Sequence, residues 1–214
     1  MDEEIRLINA NARSEKIKNF FSTNKKKIII SLSILIFLLI FFFLFLEFKE
    51  KSKIKLAERY NQITKEYLVN KNDSIKDQLI GIIYENDSTY SPLALYFLID
   101  NNILIQNEKL NELFDQVINK NSFDKEIKDL IIYKKALFNS EFSSENEILN
   151  ILNPIIKSES IWRSHALYLL AEYFYSKNEK EKSKEFFNQI ISLKNSNPNI
   201  RLEAEKRLNR DFSD

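Results

Sequence analysis

The chain has no cysteine, one glycine and one histidine in 214 residues. Without cysteine there is no disulfide framework, no thiolate metal site and no cysteine nucleophile, and the absence fits any compartment. A single glycine cannot furnish phosphate-cradling loops, a set of tight hairpins or a nucleophile elbow. A single histidine excludes a His-based metal cluster. Proline is nearly as scarce, at three residues, so little interrupts helices. An excess of one charge is missing too. Lys and Arg number 32 against 31 Asp and Glu, a balance that argues against a nucleic-acid protein. Asparagine is abundant, and it is expected to fill the left-handed helix-ending positions that glycine usually takes. The wealth of Lys, Asn, Ile and Phe fits an AT-rich codon bias, so no single Phe or Lys carries functional weight.

What the sequence does have is one long apolar run. Residues 28–46 hold no charge, and 17 of the 19 are Ile, Leu or Phe, with Ser31 and Ser33 the exceptions. At about 1.5 Å per residue the run is roughly 28 Å long, close to the thickness of a bilayer's hydrocarbon core. Its side chains favour insertion by about 5–10 kcal/mol in sum. A single transmembrane helix over 28–46 is therefore predicted. Glu47-Phe48-Lys49-Glu50 follows with no Ala-x-Ala pattern, so the run reads as a retained signal anchor.

Residues 1–27 form a basic tail. Ile5, Ile8 and Ala12, then Ile17, Phe20 and Phe21, are spaced by three and four, which fits a short amphipathic helix; a disordered polar tail is the other reading. Six basic residues flank the run on each side within about twenty residues, so the positive-inside rule is nearly silent. Lys25-Lys26-Lys27, abutting the run, tips the expectation to a cytoplasmic N-terminus. Residues 47–56 continue as a helical stalk, with Glu47 and Lys51 an i,i+4 pair, or else form a charged turn.

The remainder, residues 57–210, is periodic. The pairs Ile82-Ile83, Val117-Ile118, Ile155-Ile156 and Ile190-Ile191 recur at steps of 35, 38 and 35. Leu79, Leu113-Phe114, Ile151-Leu152 and Phe186-Phe187 precede them on the same helical face. A second set interleaves. Ala94-Leu95-Tyr96-x-Leu98 matches Ala166-Leu167-Tyr168-x-Leu170, 72 residues on, with Ile132-Tyr133 between them and Tyr60 36 residues before Tyr96. First helices are expected near 54–69, 92–105, 123–138 and 161–177, and second helices near 74–85, 108–119, 145–156 and 180–193. A closing helix near 198–209 carries Ile200, Leu202, Ala204 and Leu208. Ser74-x-x-Asp77 and Ser144-x-x-Glu147 have capping-box form, and Ser91-Pro92 and Asn197-Pro198 read as a cap followed by a first-turn proline. Pro154 is expected to kink or restart its helix. A helix pair every 35 or so residues predicts an all-α, tetratricopeptide-like (TPR-like) α-solenoid of about four helix pairs plus a closing helix.

Three stretches carry a resemblance to a known family. They are Asp2-Glu3-Glu4-Ile5-Arg6 in the tail, Ile127-Lys128-Asp129-Leu130 with Tyr133 and Ala136, and Trp162-Arg163-Ser164-His165-Ala166 with Leu169-Leu170-Ala171. With the layout of tail, span, stalk and repeats, the chain resembles the YfgM-like ancillary subunits of the SecYEG translocon, of alphaproteobacterial type. Their TPR domain is shared with the cell-division coordinator CpoB group. The chain departs from that family in replacing most Ala and Gly with Ile, Asn and Lys. The resemblance implies a single-pass protein of the bacterial inner membrane. Its TPR domain would lie in the periplasm beside the translocon and a chaperone, assisting exported proteins.

Catalytic chemistry finds little foothold. His165 lies mid-helix beside Trp162 and Ala166 and reads as a packed or rim residue. Glu145, Glu147, Glu179 and Glu181 sit at helix starts, where carboxylates are favoured electrostatically. Asn72-Asp73-Ser74 and Asn86-Asp87-Ser88 match a glycosylation sequon but read as caps or turns. No enzyme, cofactor, metal, nucleic acid or small-molecule substrate is expected. The first helices are apolar nearly all round. Burial on two sides explains most of that, and a concave groove with exposed Tyr96, Tyr168 and Tyr173, suited to an extended polypeptide, explains the rest. The functional expectation is a membrane-anchored protein-binding module of the Sec translocon; the alternative is an envelope scaffold for cell-division or outer-membrane assembly proteins.

Overall fold

The computed structural model describes residues 2–71, 74–104 and 106–212, with side chains from Glu15 onward except at 17, 21 and 28. Asn72 and Asp73 of the first sequon, and the tail side chains at Ile5, Ile8, Ala12, Ile17 and Phe21, lie outside that description. The described residues are helical, with no strand among them, so the chain is all-α. It divides into two compact units, Met1–Lys55 and Leu56–Asp214.

The first unit is helical from Asp2, as part of α1 (Asp2–Asn70). Residues 29–46 are all exposed, with nothing of the protein covering them. By length and composition this helix is able to cross a membrane. The helix continues without a turn through residues 47–56, where Lys51 Nζ lies 2.8 Å from Glu47 Oε1.

The second unit begins with the last turns of α1. It continues with α2 (Ile75–Tyr84), α3 (Tyr90–Asp100), α4 (Asn107–Lys120), α5 (Lys125–Asn139), α6 (Glu145–Ile156), α7 (Arg163–Ser176), α8 (Lys180–Ser192) and α9 (Pro198–Asp211). From α2 on, each helix packs against the next in sequence. Contacts that skip one helix join α2 to α4, α5 to α7 and α7 to α9. The end of α1 joins the core through side chains. Ile63 is 2% exposed, Tyr60 meets Tyr90 with ring centroids 5.7 Å apart, and Tyr67 meets Phe97 at 5.6 Å.

The recurring apolar pairs form the interior. Leu79, Ile82, Ile83, Leu113, Phe114, Val117, Leu152 and Ile155 lie in one cluster, and Phe187 and Ile190 in a second, smaller one with Leu167, Ala171 and Ala204. Each such side chain contributes about 1.5–3 kcal/mol on burial. Among the described residues four have positive φ: Asn86, Asn102 and Asn178, each ending a helix, and Lys71. Short polar asparagine tolerates the left-handed conformation better than most residues.

Helix starts follow the sequence in part. Asn197 Oδ1 accepts from the backbone N–H of Asn199 at 3.0 Å and of Ile200 at 3.2 Å, with Pro198 in the first turn. At Ser144 the Glu147 carboxylate accepts from both the backbone N–H and the hydroxyl, each at 2.8 Å. Ser74, by contrast, has helical dihedrals (φ −62, ψ −17) and not the extended ones of a cap. Ser91 is no cap either. Asp87 Oδ1 accepts from the backbone N–H of Thr89 and Tyr90, both at 2.8 Å, and α3 begins at Tyr90, two residues before Pro92. The buried Ser91 hydroxyl instead donates to the Ile82 carbonyl at 3.2 Å, tying α3 to α2. Pro154 does not restart α6, because it falls in the last turn, where only its own missing N–H bond is lost. Leu202 is 50% exposed; Ile200, Ala204 and Leu208, four apart, form the inner face of α9 without it.

Candidate protein-binding surface

The three tyrosines singled out by the sequence fall into different environments. Tyr173 is 5% exposed and its hydroxyl donates to the Ser143 carbonyl at 3.0 Å. It is a core residue that clasps α7 to the loop before α6, and not an exposed groove residue. Tyr168 is half-buried against Phe187, with centroids 5.6 Å apart. Burial, with the nearby Glu172 carboxylate, pushes its hydroxyl pKa up. Tyr96 is half-buried on α3 with Lys134 Nζ 4.4 Å above its ring, and its buried hydroxyl has no partner. Burial, reinforced by the Asp100 charge, holds that hydroxyl protonated well above the usual tyrosine range. Tyr96 and Tyr173 pack with the larger core cluster and Tyr168 with the smaller.

Between them lies an aromatic group that the sequence marks only by proximity. Trp162 stacks on Tyr133 of α5, centroids 5.8 Å apart and planes 23° apart. His165 packs on Trp162 at 5.1 Å and edge-on to Tyr133 at 6.2 Å. The half-buried imidazole has its pKa lowered by desolvation, so it is neutral near pH 7. The loop entering α7 is fixed by Glu126, whose Oε2 accepts from the Ser160 hydroxyl at 2.9 Å and the Ile161 N–H at 3.1 Å. This is structural packing of ordinary kind, and it leaves Ile161 66% and Ile127 47% exposed.

A cleft of about 700 Å³ runs across α4, α5 and α6. At its base Asn111 and Asn139 exchange amide hydrogen bonds at 2.9 and 2.8 Å. Asn139 is 2% exposed and also donates to the Lys135 carbonyl at 2.7 Å and accepts from the Ser143 hydroxyl at 3.1 Å. That amide is thus fully satisfied while buried. Asn107, Glu108 and Asn150 stand around the cleft with no side-chain partner among the described residues, beside Ile151 and the 45% exposed ring of Phe142. Lys135 is held by Asp115 at 2.7 Å. The surface offers amide donors, amide and carboxylate acceptors and one aromatic face on a rigid floor. The asparagines are 28 residues apart on separate helices, and no periodic signal in the sequence announces such a pair.

Among the described residues no cluster of His, Cys, Asp or Glu is able to hold a metal ion. Comparison of the chain with protein-family models, with curated proteins and with solved structures finds no match.

Proposed function

We propose that this chain is a membrane-anchored protein-binding module built on a TPR-like α-solenoid of four helix pairs and a closing helix. It would sit in the bacterial inner membrane with its N-terminus cytoplasmic and its helical domain in the periplasm. Packing of each helix from α2 on against the next in sequence, with further contacts of α2 with α4, α5 with α7 and α7 with α9, supports this reading. The observation that carries the binding reading is the amide-walled cleft of about 700 Å³ across α4–α6. Asparagine side chains present the same donor and acceptor as a peptide group, so a preorganised set of them suits the main chain of an extended polypeptide. The proposal needs no catalytic group, cofactor or metal. Anchoring in the membrane raises the local concentration of a weakly held partner. From the resemblance to YfgM-like proteins we take the partner to be the Sec translocon together with a periplasmic chaperone.

The test is photocrosslinking from Asn107 and Asn150, each replaced by a photoreactive residue in the full chain, in intact cells. Crosslinks to translocon subunits or a periplasmic chaperone support the export reading. Crosslinks to division or outer-membrane assembly proteins, with no translocon subunits, favour the scaffold. Absence of any crosslink from the cleft, with crosslinks from other faces, would remove the cleft from the reading.

A further inference from the structure

In the described domain Arg59, Arg207 and Arg210 each pair with a carboxylate, Glu85, Glu172 with Asp211, and Asp211 respectively. Arg163 and Arg201 pair with none. Arg163 opens α7 and Arg201 lies in the second turn of α9. A cation at a helix start is electrostatically disfavoured, and neither helix has an acidic residue in its first turn to offset it. Both guanidinium Nε atoms are buried without a partner, and a partly buried charge left unpaired is costly.

The loop between α8 and α9 is tied by Arg201 at one end and by the residue after Arg163 at the other. Asn197 donates its N–H to Ser164 Oγ, next to Arg163, at 3.2 Å, and the Arg201 guanidinium donates to the Leu193 carbonyl. The intervening Ser196 hydroxyl is also buried and unpaired. Leu193 and Arg163 both line a cleft of about 470 Å³ between α7 and α8, with buried Leu167 as floor and Glu185, Asn188 and Gln189 around it.

We infer that this cleft takes a carboxylate of a bound polypeptide, either the chain terminus or an Asp or Glu side chain. The Arg163 guanidinium meets the carboxylate and Leu167 and Leu193 receive the adjoining apolar side chain. The inference rests on reading the domain as a polypeptide binder, but names a site distinct from the amide cleft. Guanidinium and carboxylate match in planar, two-bonded geometry. Glu185, exposed beside the cleft, favours a single negative charge over a phosphate dianion.

The chain's only tryptophan, Trp162, adjoins Arg163 and serves as reporter. The full-length protein in lipid nanodiscs is titrated with three acetylated pentapeptides by Trp fluorescence. One ends in leucine with a free carboxylate, one is its C-terminal amide, and one is an amide with an internal glutamate. Saturable binding of the free acid is expected, weakened about tenfold or more by amidation and by Arg163→Gln, and weakened further by salt. Binding of the glutamate amide alone assigns a side-chain carboxylate, and binding of the free acid alone assigns the terminus. Equal binding of acid and plain amide, tighter competition by inorganic phosphate, or no saturable signal from any peptide would overturn the inference. Should Arg163→Gln lose its helical circular dichroism, the acid-versus-amide comparison on the unaltered protein still decides. Failure here with cleft crosslinks intact leaves the proposed function standing; peptide binding without those crosslinks does the reverse.

Discussion

Asn139 shows how a polar residue comes to be obligatory in an apolar interior. It makes four hydrogen bonds from a site 2% exposed, two of them to Asn111. Asn139→Ala leaves the Asn111 amide and the Lys135 carbonyl short of partners, and the expected loss is about 2–3 kcal/mol, read from denaturant unfolding. Gly81 gives the opposite case. It lies inside α2, where a Cβ would stand 3.1 Å from the end of the Arg59 side chain. Arg59 is exposed and flexible and its bond to Glu85 is long, at 3.5 Å, so it is able to move aside. Gly81→Ala is therefore expected to raise stability, by up to about 1 kcal/mol, through helix propensity. A fall in the unfolding midpoint would mean that the Arg59 position matters more than its contacts indicate. Residues of this kind were hard to read in the sequence. Tyr173 and Tyr168 lie on a helix that is apolar on nearly every side, so periodicity could not tell the inner tyrosine from the half-exposed one. The amide pair, formed across two helices, leaves no spacing signature at all.

At the scale of helices the sequence was far more legible. Apolar residues three and four apart, repeated at near-constant intervals, placed the helices from α2 to α9 to within a few residues. The largest error in bounds is the end of α3, expected near 105 and found at Asp100, whereas starts fall within two residues and only cap residues are misassigned, because several Ser, Thr, Asp and Asn residues compete within one turn. Asp87 won over Ser91 by reaching two backbone N–H groups at once. The cap of α6 has a consequence for pH. Two hydrogen bonds from Ser144, the backbone one foremost, hold the Glu147 pKa below its usual 4.5. A depressed carboxylate stabilises the fold fully above its ordinary value and loses that effect as pH falls through the lower folded value. The unaltered protein is thus expected to melt above Glu147→Gln at neutral pH, with the gap narrowing as pH falls below the usual 4.5. A gap of equal size at both pH values would show that the charge of Glu147 plays no part.

At the scale of the molecule, the boundary of the domain is set by side chains and not by helix ends. The last turns of α1 supply Ile63, Tyr60 and Tyr67 to the core. A fragment of residues 56–214 is expected to unfold cooperatively with a helical signal. A fragment starting at residue 74 lacks all three side chains and is expected to be less stable by several kcal/mol, or to lose its cooperative transition. Equal melting of the two fragments would show that the core does not depend on α1.

The packing of each helix on its neighbours in sequence bears on the order of synthesis. No pairing in the domain waits for a distant part of the chain, so the loops to be closed are short and folding is expected on the scale of about milliseconds or faster. A chain emerging N-terminus first is able to bury α2 against α3 before α5 exists, and to add each helix to a finished surface. The α7–α8–α9 cluster forms last, and α9 adds Ala204 to Leu167, Ala171, Phe187 and Ile190. Chains interrupted before residue 198 would carry a folded front and an uncovered apolar end. Helix α9 thereby separates a covered apolar cluster from an exposed one.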